Sequence, residues 1–337
     1  MNSHKKLIIF TQGGGRFGNQ LINYGHLIAF ILEHSNEYDL INMAFWPYAH
    51  LLENLSEDKR CIIPSSHEKC KNFDNLNNFL RLFPNKISKL IKSNLIDILC
   101  VYAAIDPGMQ SIIVGDKRLS SFSSYEKIDK LSLDNMNDIK FFEKANITLL
   151  SGWPIRSWSL FRKHQSLIRS YLRFNSIYTN VADEFIKKLR KNYDFLIGVL
   201  IRQGDYRQYA NGRFFFDTNQ YINWIIEAKK LFSEFGSVGF IVTSDQPQYH
   251  MKFDGLDVVF ATGIAGASGH YVESIAELSQ CDLVMTPPST FGTWAGFMGN
   301  TPILPLYDKS QPISKNEIFK NHIFDAILHS HMSIGVK

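Results

Sequence analysis

The sequence predicts an α/β protein of two domains, each built on a parallel sheet, and three observations carry that prediction. The chain has 337 residues, 45% of them hydrophobic. At about 100–200 residues per domain, that is two domains' worth of chain with ample material for two cores. Near the start, a short apolar strand runs through a glycine-rich loop into a long helical pattern, the opening unit of a doubly wound sheet. Beyond residue 195, short apolar runs alternate with helical stretches across short loops, which is the rhythm of a second parallel sheet.

In chain order, the first strand is Leu7 to Phe10 and the first helix runs from Leu21 to Glu33, with Gln12-Gly-Gly-Gly-Arg-Phe-Gly-Asn-Gln20 between them. Gly13, Gly15 and Gly18 satisfy the G-x-G-x-x-G fingerprint in a strand-to-helix context. A dinucleotide site also needs an acid at the end of the second strand. That strand, read as Leu40 to Phe45, ends in Trp46-Pro47, with Asp39 placed before it. A dinucleotide-dependent oxidoreductase is therefore the disfavoured rival. Residues 51–100 read as helices and loops. Lys86 to Cys100 has Ile and Leu at helical spacing with Lys opposite, a core-facing helix with a membrane-surface role as the alternative. Ile112 to Gly115 and Thr148 to Ser151 are strands, and Gly152-Trp153-Pro154 is expected near the interdomain seam.

The domain change falls between about 155 and 180 and is placed at 165/166, giving domains 1–165 and 166–337, with a last helix able to pack back on the first domain. Ser166 to Leu172 and Val181 to Tyr193 are helical. Strand Phe195 onward, helix Tyr221 to Phe235, strand Gly239 to Asp245, strand Val258 to Phe260, helix Tyr271 to Ser279 and strand Leu283 to Met285 follow.

Charge narrows the partners. The net charge is +4, from 36 Lys+Arg against 32 Asp+Glu, so no nucleic-acid partner is expected. The run Lys187-Lys188-Leu189-Arg190-Lys191 beside Asp183 and Glu184 reads as a solvated helix face. Cys61, Cys70, Cys100 and Cys281 form no C-x-x-C pair and read as thiols. The N-terminal apolar run is too short for a signal-peptide core, and no run reaches the length of a membrane span. A cytoplasmic protein is the expectation, with peripheral attachment to the inner membrane compatible with it.

The chemistry concentrates in two stretches. Ile197-Gly-Val-Leu-Ile-Arg-Gln-Gly-Asp-Tyr206 is an apolar run that ends on Arg202, Gln203, Gly204 and Asp205. A guanidinium at a strand's carboxyl end can grip a phosphate bidentately; the plainer reading is an Arg–Asp pair closing a corner. Thr286-Pro-Pro-Ser-Thr-Phe-Gly-Thr-Trp294 follows another strand and opens a helix. Ser289 and Thr290 there offer hydroxyls and free amides to an anion, or serve as an ordinary cap. Together the two stretches suit a diphosphate.

Gly15-Arg-Phe-Gly-Asn-Gln20 with Tyr24, Ile201-Arg-Gln-Gly-Asp-Tyr206 and Ser289-Thr-Phe-x-x-Trp294 resemble the three ordered motifs of the family-11 α-1,2-fucosyltransferases, within the wider group of α-1,6- and protein O-fucosyltransferases. The resemblance spans residues 15–294. It implies a GT-B fold, two Rossmann-like domains with the active-site cleft between them, and an inverting, metal-independent glycosyltransferase. Such an enzyme moves fucose from GDP-fucose to a glycan hydroxyl, in α-1,2 linkage, in bacterial-type surface polysaccharide synthesis. Its partners are a nucleotide sugar and a glycan acceptor.

Residue by residue, the resemblance places Arg202 on the β-phosphate, Ser289 and Thr290 with Phe291 in the phosphate-binding stretch, and Glu273 on guanine, whose adjacent N1–H and N2–H a carboxylate can accept. Ser244 and Asp245 join the substrate-binding set. The family pattern His-x-Arg-Arg-x-Asp has Leu200 in place of histidine and Gln203 in place of the second arginine; Gln203 retains a neutral donor. Asp205 is the first choice for general base, with structural pairing to Arg202 as the alternative. Arg16, Asn19 and Gln20 are expected to face the cleft from the first domain. His270 is assigned to the base or ribose, or to plain exposure. No D-x-D occurs, so no metal cofactor is expected. Transfer of another GDP-deoxyhexose and nucleotide-sugar binding without turnover remain as alternatives.

Overall fold

A computed structural model describes residues 5–55, 62–63, 106–115, 126–153, 155–310 and 312–318. The chain divides into two compact units, Met1–Arg173 and Phe174–Lys337. The division falls after the helix Gln165–Tyr171, which a boundary at 165/166 would cut from the unit it packs in.

Unit 1 holds a six-stranded sheet of order β3-β2-β1-β7-β4-β5. Its strands are β1 (Lys6–Gly13), β2 (Tyr38–Asn42), β3 (Ile62–Ile63), β4 (Met109–Val114), β5 (Glu126–Ile128) and β7 (Ile147–Gly152). All pairings are parallel except β2 with β3. Between β5 and β7 a short β6 (Leu131–Ser132) pairs with β8 (Ile155–Arg156). Helix α1 (Phe17–Glu33) is buried on almost every face, with the polar Gln20, Asn23 and His26 buried alongside its apolar residues; α2 (Trp158–Lys163) and α3 (Gln165–Tyr171) follow β8.

The second strand corrects the sequence reading. β2 stops at Asn42 rather than Phe45, because the Asn42 Oδ1 accepts the Phe45 N–H at 3.1 Å and opens a tight 3₁₀ stretch, Met43–Leu51, that contains Pro47. A side chain that captures a backbone donor competes with the strand ladder. Asp39 lies within β2, paired with Leu7 and buried, with Lys5 Nζ 3.6 Å away. The strand thus ends on an amide, and the buried acid sits near its start, a geometry that does not suit a ribose.

Unit 2 is a five-stranded, fully parallel sheet of order β11-β10-β9-β12-β13. The strands are β9 (Phe195–Ile201), β10 (Val238–Ser244), β11 (Val258–Phe260), β12 (Leu283–Thr286) and β13 (Ile303–Pro305). Helices α4 (Ser176–Leu189), α5 (Thr218–Leu231), α6 (Tyr271–Ser279) and α7 (Thr290–Gly299) accompany them. The unit's first strand lies in the middle, its second and third to one side and its fourth and fifth to the other, which is the order of a mononucleotide-binding half.

Helix starts follow side-chain caps that the apolar period did not reveal. Asn175 accepts the Ile177 N–H at 3.1 Å and starts α4 five residues before Val181. Asp217 accepts the Gln220 N–H at 2.9 Å and starts α5 before Tyr221. At Gly198 an added Cβ would lie 2.4 Å from Leu278 and 3.2 Å from the Cys281 Sγ, so this glycine lets α6 press against the central strand.

Lys187, Lys188 and Lys191 are exposed, while Arg190 pairs with Asp282 at 2.6 Å. Among the described residues no helix is long and apolar enough to cross a membrane. Lys86 to Cys100, Cys61, Cys70 and the last helix lie outside the described residues; Cys281 is a buried free thiol.

Candidate functional site

In unit 2 the connections from β9 and from β12 leave on opposite sides of the sheet's midline, and at such a switch point the carboxyl ends of the strands open a crevice. Arg202 directly follows β9, Ser244 ends β10 with Asp245 next, and Ser289 caps α7 just beyond β12.

Arg202 is held on several sides. Its Nη2 donates to Asp205 Oδ1 at 2.7 Å, Nη1 lies 3.3 Å from Asp245 Oδ2, and the guanidinium sits 4.9 Å from the centre of the Tyr206 ring. Its backbone N–H donates to the Tyr221 hydroxyl at 3.2 Å, and its buried Nε has no hydrogen-bond partner. Asp245 also accepts the Gln203 N–H at 2.8 Å and the Gly204 N–H at 3.2 Å, so it anchors the corner that presents Arg202. Gln203 is buried: its Nε2 donates to the Phe216 carbonyl at 3.0 Å, and its Oε1 accepts from Gln248 Nε2 at 3.0 Å. The neutral donor expected for a ligand is thus engaged within the fold. Gln248 Nε2 also reaches the buried Ser244 Oγ at 3.1 Å. Asp205, by contrast, is 53% exposed on its side chain.

Tyr206 joins this corner to the next strand end. Burial pushes its pKa up to about 12, so at neutral pH it stays a phenol and donates to the Pro288 carbonyl. Ser289 Oγ accepts the Phe291 N–H at 3.3 Å, as an N-cap should, and Thr293 Oγ1 donates to the Ser289 carbonyl at 2.8 Å. The Ser289 hydroxyl also bonds the Tyr206 phenol, so it can keep its cap bond while trading that contact for an anion. Thr290 and Phe291 are half-buried at the first turn of α7. Past Asp205 the chain runs through Ala210, Asn211 and Gly212 at φ 50, 56 and 76, three consecutive left-handed residues. For alanine that conformation costs about 1–2 kcal/mol.

A second cluster lies at the start of α6. Glu273 and Glu277, one turn apart, both face Thr262, whose Oγ1 is 2.8 Å from Glu273 Oε2 and 2.5 Å from Glu277 Oε1. One hydroxyl hydrogen cannot serve two carboxylates, so below about pH 6 a proton on Glu277 completes a chain from Glu277 through Thr262 to Glu273. Burial indeed raises the Glu277 pKa from 4.5 to about 6. His270 caps α6, its Nδ1 accepting the Val272 N–H at 3.2 Å, and its ring stacks on Tyr178 at 4.7 Å. It is half-buried and engaged, which corrects the plain-exposure alternative. The loop before it ties back to Ser244, whose carbonyl accepts the Ala265 N–H at 3.2 Å.

The Glu277 shift has a sign. Between pH 4.5 and about 6 the unfolded chain loses this proton before the folded one does, so the group's contribution to stability falls as pH rises through that window, by about 2 kcal/mol at 1.36 per unit. Melting temperatures of the protein and of Glu277→Gln, compared across pH 4–8, are expected to diverge through that window. Parallel curves would remove the assignment.

In unit 1, Arg16 is exposed and precedes α1 without a side-chain cap bond, Asn19 is half-buried under Gly15, and Gln20 is buried with its Nε2 donating to the Gly14 carbonyl at 2.9 Å. The structure therefore gathers Arg202, Gln203, Asp205, Ser244, Asp245 and Ser289 at one sheet edge, with Glu273 and His270 on the loop and helix after β11. The sequence reading missed Tyr221, Gln248, Thr262 and Glu277. Only the Glu273–Glu277 spacing, one face of a helix, carried a legible signal.

A family profile described as "Glycosyl transferase family 11" matches residues 151–324. No curated protein sequence matches the chain. The chain is similar in fold to a number of solved structures, two of which follow. POFUT1 in complex with GDP has 16% identity and a TM-score of 0.50, with 90% of this chain and 99% of that one covered. An arginine-to-lysine mutant of Arabidopsis thaliana FUT1 in complex with GDP has 12% identity and a TM-score of 0.53, with 93% and 73% covered. The fold class is accordingly GT-B, with two Rossmann-like units.

Proposed function

This chain belongs to glycosyl transferase family 11, and from that premise we propose that it is an inverting, metal-independent transferase that moves fucose from GDP-fucose to a hydroxyl of a glycan acceptor. The α-1,2 linkage and a role in surface polysaccharide assembly, with the enzyme cytoplasmic and peripheral to a membrane, complete the reading. The observation that carries it is the convergence of Arg202 and the Ser289-capped helix start on one sheet edge, joined through Tyr206.

In this reading the bond between the sugar's anomeric carbon and the β-phosphate oxygen breaks, and its electron pair stays on that oxygen. Arg202, Ser289, Thr290 and the first amides of α7 meet the growing charge, a preorganised stabilisation that stands where other transferases use a metal. The acceptor hydroxyl bonds to the anomeric carbon from the opposite face and gives its proton to Asp205. Asp205 is the exposed partner of Arg202, so it can both be released and reach a substrate. Glu273 accepts the two adjacent donors of guanine; its Oε2 is fixed by Thr262. Phe291 and His270 are assigned to the nucleotide, and Arg16, Asn19 and Gln20 to acceptor hydroxyls. Gln203, Ser244 and Asp245 shape the corner from within. The neighbours' bound GDP supports the choice of base.

The test is a nucleotide panel. GDP and GDP-fucose are expected to bind more tightly than UDP or NAD, and Glu273→Gln to weaken GDP by about 1–3 kcal/mol, since one accepting oxygen becomes a competing donor. Transfer is expected to persist in excess chelator. Equal binding of UDP would sink the donor assignment, and activity restored only by added metal would sink the metal-free mechanism.

A further inference from the structure

Unit 1 contains a buried cation that the reading above leaves unused. Arg156, in β8, lies with its guanidinium 3.7 Å over the Trp153 ring, its Nη1 donating to Asn23 Oδ1 at 3.1 Å and to the Ile155 carbonyl at 2.7 Å. Its Nη2 is out of solvent reach and has no hydrogen-bond partner. Burial lowers its pKa to about 9, and among the described residues no acid pairs with it; it is still a cation at neutral pH. A buried cation without an acid is costly, by several kcal/mol in a typical interior, and such groups are ordinarily paired.

The surroundings repeat the pattern. Among the described residues, the fully buried Asn23 has an Nδ2 without a partner and the buried Gln20 an Oε1 without one. The two stand three residues apart on α1, hence on one helix face. Gln20 binds the Gly14 carbonyl, and a Cβ at Gly14 would lie 3.5 Å from the Trp153 Cβ, so Gly14, Gln20, Asn23, Trp153 and Arg156 form one connected group. It sits where β1 and β7 adjoin, with β2 on the far side of β1 and β4 on the far side of β7. That is the switch point of this sheet, at its carboxyl edge. Two unused donors, one of them cationic, and one unused acceptor fit a ligand that offers an anionic oxygen beside a hydroxyl.

We propose that unit 1 carries an oxyanion subsite built by Arg156, Asn23 and Gln20, and that it takes an acidic sugar of the acceptor. The carboxylate accepts from Arg156 and Asn23, and a neighbouring sugar hydroxyl donates to Gln20 Oε1. The acceptor role rests on the transferase reading; the oxyanion site does not. A sugar phosphate shares the chemistry, and the two sources separate by direct measurement.

The experiment is calorimetric binding of methyl galactoside, the methyl glycoside of galacturonic acid with its carboxylate free, and galactose phosphate to the protein, with GDP titrated in parallel. The galacturonate is expected to bind at least about tenfold more tightly than the neutral galactoside, and Arg156→Met to erase that preference while GDP binding persists. Because the methionine removes an unpaired buried charge, its melting temperature is expected to equal or exceed that of the unaltered protein; Arg156→Lys keeps the charge and retains part of the preference. A preference for the phosphate alone would overturn the carboxylate assignment. Equal binding of acidic and neutral sugars, or an Arg156→Met protein that melts early with the preference intact, would overturn the subsite. Loss of GDP binding in the unaltered protein would instead count against the transferase reading.

Discussion

Arg202→Lys is expected to lower turnover by about 2–4 kcal/mol of transition-state stabilisation, roughly 30- to 1000-fold, with a smaller loss in donor binding. Lysine keeps the charge and loses the planar fork. The guanidinium now spans Asp205 at 2.7 Å and Asp245 at 3.3 Å while lying over Tyr206; a single ammonium cannot hold that plane and also present two parallel donors to a phosphate. Because charge on the leaving phosphate grows as the bond breaks, the deficit belongs mostly to kcat. The same contacts support a rival in which Arg202 only closes the corner. That rival predicts a lower melting temperature and normal kinetics in the folded fraction. Melting temperature, kcat and KM measured on one preparation separate the two: an early-melting variant with unchanged kcat makes Arg202 architecture.

Asp245→Ala is expected to destabilise unit 2 by about 3–5 kcal/mol, since it strips a partly buried guanidinium of one carboxylate and leaves the Gln203 and Gly204 amides without an acceptor. Asp245→Asn keeps an accepting oxygen for those amides and loses only the ion pair, so its cost should fall in between. Urea denaturation of the three proteins gives the ordering. An alanine variant as stable as the unaltered protein, yet unable to bind GDP, would make Asp245 a ligand contact instead of an anchor.

The β-α rhythm was legible because each buried parallel strand is a continuous apolar run; β9, β10 and β12 all read directly. What misled was side-chain chemistry with no period. Asn42, Asn175 and Asp217 each redirected a boundary by accepting a backbone N–H, and composition alone does not distinguish any of them from a loop residue. Within the candidate site, the strand-end positions of Arg202 and Ser289 followed from the sequence. The engagement of Gln203 did not, because its partners, the Phe216 carbonyl and Gln248, are distant in sequence and unremarkable there.

The corner around Arg202 has one cation and two carboxylates, so before any ligand arrives its formal charge is −1. A diphosphate that takes both terminal nitrogens of the guanidinium in parallel must exchange places with a carboxylate. Asp205, at 53% exposure against 14% for Asp245, is the one that can leave, because Asp245 is held by two backbone amides. The carboxylate so displaced is the proposed base. On the proposed mechanism, donor arrival would arm the group that deprotonates the acceptor, and the expected kinetic scheme is ordered addition, nucleotide sugar first. In initial-rate experiments GDP should inhibit competitively against the donor and noncompetitively against the acceptor.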